Sequence, residues 1–292
     1  MRRLHREPER FGENVVTVTT WTDSRPALVA SRVLKAAVAF WFVAALIGQW
    51  VFFYYIAVFY GPSTLTGNFQ AWTKNHNLIK GYIPGDTPGN LTFGVHALLA
   101  GYVAFGGALQ IIPQLRSIAP RFHRWNGRTF LVTAFVLSVT GLYMIWIRGA
   151  VTNMTGSVAI SLDAALIILF AILAWRAARR RDFDVHRRHA LRTWLVANGQ
   201  WFFRVGVFGW ILVNHGPVGF GGHFDGPIIV FWEFGCYLLP LTVLELYLRT
   251  TEGTSLRARY AMAGALIALT LIMSAGVVGA YLITWQPVLA RI

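Results

Sequence analysis

Imidazole and guanidinium groups set into an apolar chain are where chemistry would begin. Eight histidines occur, at positions 5, 76, 96, 123, 186, 189, 215 and 223. His123 and His186 each precede a long apolar run, with Arg124 and Arg128 beside the first and Arg192 following the second. A membrane-bound haem b needs two imidazoles at one depth on neighbouring helices, with arginines to neutralise its propionates. His123 and His186 meet that description on one side, and His96 with His215 or His223 offers a pair on the other. No H-E-x-x-H zinc signature is present, and "GFGG" and "GVVG" lack the strand–turn–helix context of a phosphate loop.

A second chemistry comes from charge inside apolar runs. Ionisable groups there cost about 2.5–3.5 kcal/mol each on insertion scales and face a bundle interior. Arg204 lies deep in such a run, with Gln200 one turn before it on the same face. Asp163 and Glu233 sit in two other runs at depths that could bring either to Arg204. The pair is either a structural tie between helices or a midplane site of a transporter or small-ligand binder. In the second case the histidines act as proton relays or headgroup anchors. No inverted repeat and no broken-helix pair stands out.

The elements that must position these groups follow from composition. The 292 residues are 55% hydrophobic and 13% charged, with a mean hydropathy of +0.51. Soluble domains carry about 25% charged residues. The apolar runs reach about 20 residues, enough to cross roughly 30 Å of hydrocarbon as helix. The chain is therefore expected to be an all-α, polytopic membrane bundle of about seven helices. The spans fall near Val33–Tyr60, Thr92–Ile112, Thr129–Ile147, Ser157–Trp175, Thr193–Val213, Ile228–Leu248 and Tyr260–Thr284. Of 26 basic residues, most fall in the N-terminal segment and in alternate loops, which predicts an N-inside, C-outside topology in a plasma membrane. The net charge of +14 is a contact for anionic lipid headgroups rather than for nucleic acid. Residues 1–32 read as a cytoplasmic basic tail, 33–60 as the first span, 92–248 as a core of five helices and 260–284 as the last span.

Within the second span, His96, Ala100, Val103, Gly107 and Gln110 share one face, where small residues admit a helix backbone or a flat ligand. Glu245 is placed to snorkel or to pair with Arg249. Cys236 is expected to be buried packing.

Two stretches carry a family resemblance. One is His96…Gly107…Gln110…Arg116…His123-Arg124-x-x-Gly127-Arg128. The other is His186-Arg187-Arg188-x-x-x-Arg192 followed by Arg204. Together they resemble the bacterial predicted-membrane-protein family known as domain of unknown function 2306, over about Phe93 to Leu248. His189-Ala190 stands where that family usually has Trp-Met. Glu245 is kept, while an expected Asn near it is absent. The resemblance implies the fold and the choice of residues, and no reaction. Two functional expectations remain open: a haem b-binding, quinone-linked redox protein using His123, His186 and His96, or a midplane binder or transporter built on Arg204, Gln200, Asp163 and Glu233. A non-catalytic assembly or sensor protein is the third.

Overall fold

The computed structural model describes residues 25–74, 81–151 and 153–291. His5, His76 and most of the basic tail lie outside the described residues. Those residues form ten helices: α1 (Arg25–Thr66), α2 (Thr87–Ile111), α3 (Pro113–Ile118), α4 (Pro120–Trp146), α5 (Met154–Arg179), α6 (Phe183–Ala197), α7 (Gly199–Asn214), α8 (Pro227–Glu252), α9 (Leu256–Ala280) and α10 (Gln286–Leu289). Their starts follow ordinary capping chemistry. The Asp86 carboxylate accepts from the Gly89 amide at 2.9 Å, Asp182 from Val185 at 3.2 Å and Ser255 from Ala258 at 3.3 Å.

Six helices among the described residues are long and apolar enough to cross a membrane: α1, α2, α4, α5, α8 and α9 with its continuation to Leu289. Their outward faces carry Phe40, Ile47, Val132, Phe135, Leu271 and Ile272, all exposed. An apolar surface of this extent suits lipid rather than water. The chain is a multi-pass membrane protein.

The expected fifth span, Thr193–Val213, is not one helix. It is divided at Asn198, whose φ of −98° and ψ of 9° lie outside the helical well. The Asn198 side chain donates to the Trp194 carbonyl at 2.8 Å, and its own carbonyl receives the Trp201 and Phe202 amides. Partners change at the break: α6 packs on α5 and α8, while α7 packs on α9 and α8. Close approach explains the second contact. A Cβ built on Gly209 would stand 2.9 Å from the Gly276 Cα, and one on Gly279 would stand 2.6 Å from the Phe208 carbonyl oxygen. Small residues at these positions let the two backbones touch. The expectation of one continuous span over Thr193–Val213 is therefore corrected.

The two ends of the bundle are tied by different chemistry. At the basic end, Arg192 makes a bidentate pair with Glu245 (2.6 and 2.9 Å), Arg188 pairs with Glu252, and Arg259 donates to Ser31 at 2.9 Å. Glu245 thus serves α6 rather than Arg249 on its own helix. At the far end, Arg148 donates to Asp86 at 2.8 Å and to the Gly81 carbonyl at 3.0 Å. The Arg148 guanidinium beside Asp86, helped by the Gly89 amide, holds its carboxyl below the usual carboxylate range. The α9 helix passes through a π turn at Tyr281–Trp285. Pro287 has no N–H to return to Ile283, so the ladder shifts and the Gln286 amide bonds Tyr281 instead.

Candidate functional site

Depth can be counted from helix ends. His96 lies nine residues into α2, Asp163 nine into α5, and Arg204 ten before the end of α7. At 1.5 Å per residue each is about 14–15 Å from the far end. That is half of a hydrocarbon core of roughly 30 Å. The three side chains line one cavity of about 210 Å³, together with Ser138, Asn198 and Gln200. The rest of its wall is largely apolar, and one part of it is aromatic, with Phe52, Tyr55 and Trp285 in mutual ring contact.

Arg204 projects into this space above the Phe52 ring, 5.6 Å from its centroid. It donates one hydrogen bond, to the Gln200 carbonyl at 2.7 Å. No carboxylate stands within ion-pair distance of it among the described residues. Asp163 lies near Tyr237 and Cys236, and Cys236 is also within electrostatic reach of Arg204. Its Oδ1 is buried without a hydrogen-bond partner. Its Oδ2 faces Gly199, where an added Cβ would meet it at 2.7 Å. The glycine that opens α7 therefore makes room for the carboxylate, which sits where the helix dipole favours negative charge.

His96 stands within electrostatic reach of Arg204. A chain of bonds favours one tautomer. The Thr140 hydroxyl donates to the Val136 carbonyl at 2.8 Å, so it accepts the Nδ1–H of His96, also at 2.8 Å. Nε2 is left as the lone pair of a ring that lines the cavity.

Glu233 is not part of this set. It accepts from Asn153 at 3.0 Å and ties α8 to the cap of α5, outside the cavity lining. An ion pair between Arg204 and either acid, the sequence expectation, is not formed at the described residues. The second-span stripe does face inward, but with two roles. His96 and Ala100 line the cavity, while Gly107 packs against Phe130 and Gln110 bonds α4.

The basic-end histidines are arranged differently. His123 and His186 lie within electrostatic reach of one another. His186 donates Nδ1–H to the Ala174 carbonyl at 2.9 Å, leaving Nε2 as a lone pair. The Gln110 amide, oriented to satisfy both of its ends, donates to His123 Nδ1 at 3.1 Å. Neutral His123 then carries its proton on Nε2. The two rings do not offer two Nε2 lone pairs across a shared cavity, and the basic-end pocket near them is lined by His189, Arg176 and Arg180 instead. Arg124 and Arg128 are exposed, with Arg128 resting 5.0 Å over the Trp125 ring, and Arg192 is already neutralised by Glu245. His215 and His223 lie exposed at the far end, apart from His96. The haem expectation for His123, His186, His96, Arg124, Arg128 and Arg192 draws no support from this arrangement. Among the described residues, no group of three His, Cys, Asp or Glu converges as a metal site.

The fold and cavity define a multi-pass helical membrane protein with a polar chamber at mid-depth. Residues 93–247, just over half of the chain, match the family described as Predicted membrane protein (DUF2306), and the chain belongs to that family. No curated protein and no solved structure matches it. His96, Asp163, Asn198, Gln200 and Arg204 lie inside the matched region. Phe52, Tyr55 and Trp285, which close the aromatic wall, lie outside it in α1 and the π turn.

Reading single residues did not reveal Asn198, Ser138 or Trp201 as cavity walls. One signal was available for the first. "ANGQ" places Asn and Gly together in an otherwise apolar run, a pairing that favours breaks and turns.

Proposed function

We propose that this protein binds a small ligand at the membrane midplane, as a transporter or a ligand-binding membrane protein. The carrying observation is one chamber lined by His96 and by an arginine and a carboxyl oxygen that have, among the described residues, no carboxylate partner and no donor respectively. Groups of this cost persist inside a bilayer when something uses them. The break at Asn198 supports the reading, since discontinuous helices supply polar backbone at midplane binding sites in transporters. The chamber is smaller than the roughly 300–1,000 Å³ of drug-sized sites, so the ligand is small. The basic end faces the cytoplasm in this proposal, in a plasma membrane whose anionic headgroups it contacts.

Uptake or binding measured in proteoliposomes tests it. Arg204→Gln is expected to abolish the signal and His123→Ala to leave it intact, because His123 is outside the chamber. The opposite outcome would move the site to the basic end. Protein purified from cells supplied with haem is expected to show no Soret band. A Soret band lost in His186→Ala would restore the haem and quinone reading.

A further inference from the structure

The geometry points to a small zwitterion, of the amino-acid kind, as the ligand class of the midplane chamber. This inference rests on the binding proposal above and deepens it. It starts from the separation of charge. Arg204 and Asp163 line the same chamber yet are not within 4.0 Å of each other, the limit for an ion pair. A guanidinium and a carboxyl free to meet in a low-dielectric space gain greatly by doing so. Here the two line one chamber without meeting. Arg204 is tethered by its hydrogen bond to the Gln200 carbonyl and its seat over Phe52. Asp163 lies against the glycine that opens α7, beside Tyr237, with its Oδ1 unbonded. The chamber thus carries a guanidinium and a carboxyl that each lack an ionic partner among the described residues.

The hydrogen-bond inventory gives the complement. A guanidinium has five N–H donors and no acceptor. Arg204 spends one on Gln200, so it presents donors to the chamber. The Asp163 carboxyl lines the chamber with an oxygen that has no donor, and His96 lines it with a second ring nitrogen beyond the one at Thr140. A ligand that satisfies these groups carries a carboxylate for the planar fork of Arg204 and a multi-proton donor for Asp163 and His96. An ammonium group on the same small molecule is that donor. A simple carboxylate would leave Asp163 and His96 without a donor, and a simple amine would leave Arg204 without an anion. Each unsatisfied buried group is a large penalty. The aromatic wall of Phe52, Tyr55 and Trp285 is then left to the ligand's side chain.

The test uses the full chain in lipid nanodiscs with three matched probes: phenylalanine, 3-phenylpropionate and phenethylamine. Isothermal titration gives affinities, with leucine and glycine as further zwitterions of smaller side chain. A zwitterion is expected to bind at least 10-fold more tightly than either single-ended analogue. Asp163→Asn is expected to remove that advantage while leaving 3-phenylpropionate binding nearly unchanged. Arg204→Gln is expected to weaken both carboxylate-bearing probes by 10-fold or more, and Arg204→Lys to recover part of the loss. Equal binding of zwitterion and plain carboxylate, with Asp163→Asn silent, would overturn the zwitterion and leave the binding proposal standing. Binding by none of the probes, in wild type and in folded variants alike, would overturn both. Arg124→Gln, at an exposed position outside the chamber, controls for surface charge.

Discussion

Arg204→Gln separates a functional arginine from a structural one by its effect on stability. A charge at the centre of a transmembrane helix costs about 2.5–3.5 kcal/mol on insertion scales, and the substitution removes that cost. It also removes a charge-assisted hydrogen bond to the Gln200 carbonyl, worth about 1.5–3 kcal/mol. The seat over the Phe52 ring adds about 0.5–2 kcal/mol. These contributions largely offset one another, so the stability change is expected between about 1.5 kcal/mol gained and about 2.5 kcal/mol lost. For a chain of this size the largest such loss is a shift of about 5 °C, at roughly 2 °C per kcal/mol. Were Arg204 one half of a buried ion pair, removing it would strand the partner at about 3–5 kcal/mol, a fall of roughly 6–10 °C or more. Thermal unfolding followed by the fluorescence of the 12 tryptophans reads this directly. A loss above about 6 °C would refute the account of Arg204 as an unpaired, ligand-directed cation. A near-neutral melt together with at least a 10-fold loss of ligand affinity, about 1.4 kcal/mol, is the expected result.

Three further outcomes are expected. Gly199→Ala brings a methyl against Asp163 Oδ2, so the carboxylate must move; a loss of about 1–3 kcal/mol and weaker zwitterion binding are expected, and an unchanged melt would show that the contact is slack. Arg192→Lys keeps charge but not the bidentate fork to Glu245, whose side chain is 41% exposed, so a loss of only about 0.5–1 kcal/mol is expected, with a double-mutant cycle against Glu245→Gln recovering a coupling of that size. Asp86 is held below its ordinary range by Arg148, so the folded state binds its proton less readily than the unfolded chain. Its contribution is fully present above the usual carboxylate range and is lost as pH falls through the folded-state value. A melt titrated from pH 6 to pH 3 should fall less steeply in Asp86→Asn than in wild type, and identical slopes would discount the pair.

Some of this architecture is determined by the sequence alone. Apolar runs of about 20 residues and the alternation of basic loops require a multi-pass helical bundle, since a bilayer leaves only helices or a closed barrel to satisfy the backbone and barrel strands are about half that length. The depth of Arg204 and Asp163 follows by counting residues from the ends of their runs, and the stripe through His96 and Gln110 follows from helical period. Other features are properties of the tertiary structure. Whether Arg204 meets Asp163, Glu233 or neither depends on helix rotation and on which neighbours α7 touches, and those depend on the break at Asn198 and the glycine contact with α9. Glu233 shares a plausible depth with Arg204, yet it turns to Asn153. His123 and His186 approach one another as their positions suggested, but their hydrogen-bond partners, Gln110 and Ala174, determine which ring nitrogen is left free. Spacing fixes how deep a side chain sits. Only packing fixes which way it faces, because depth is a property of one helix and a cavity is a property of several.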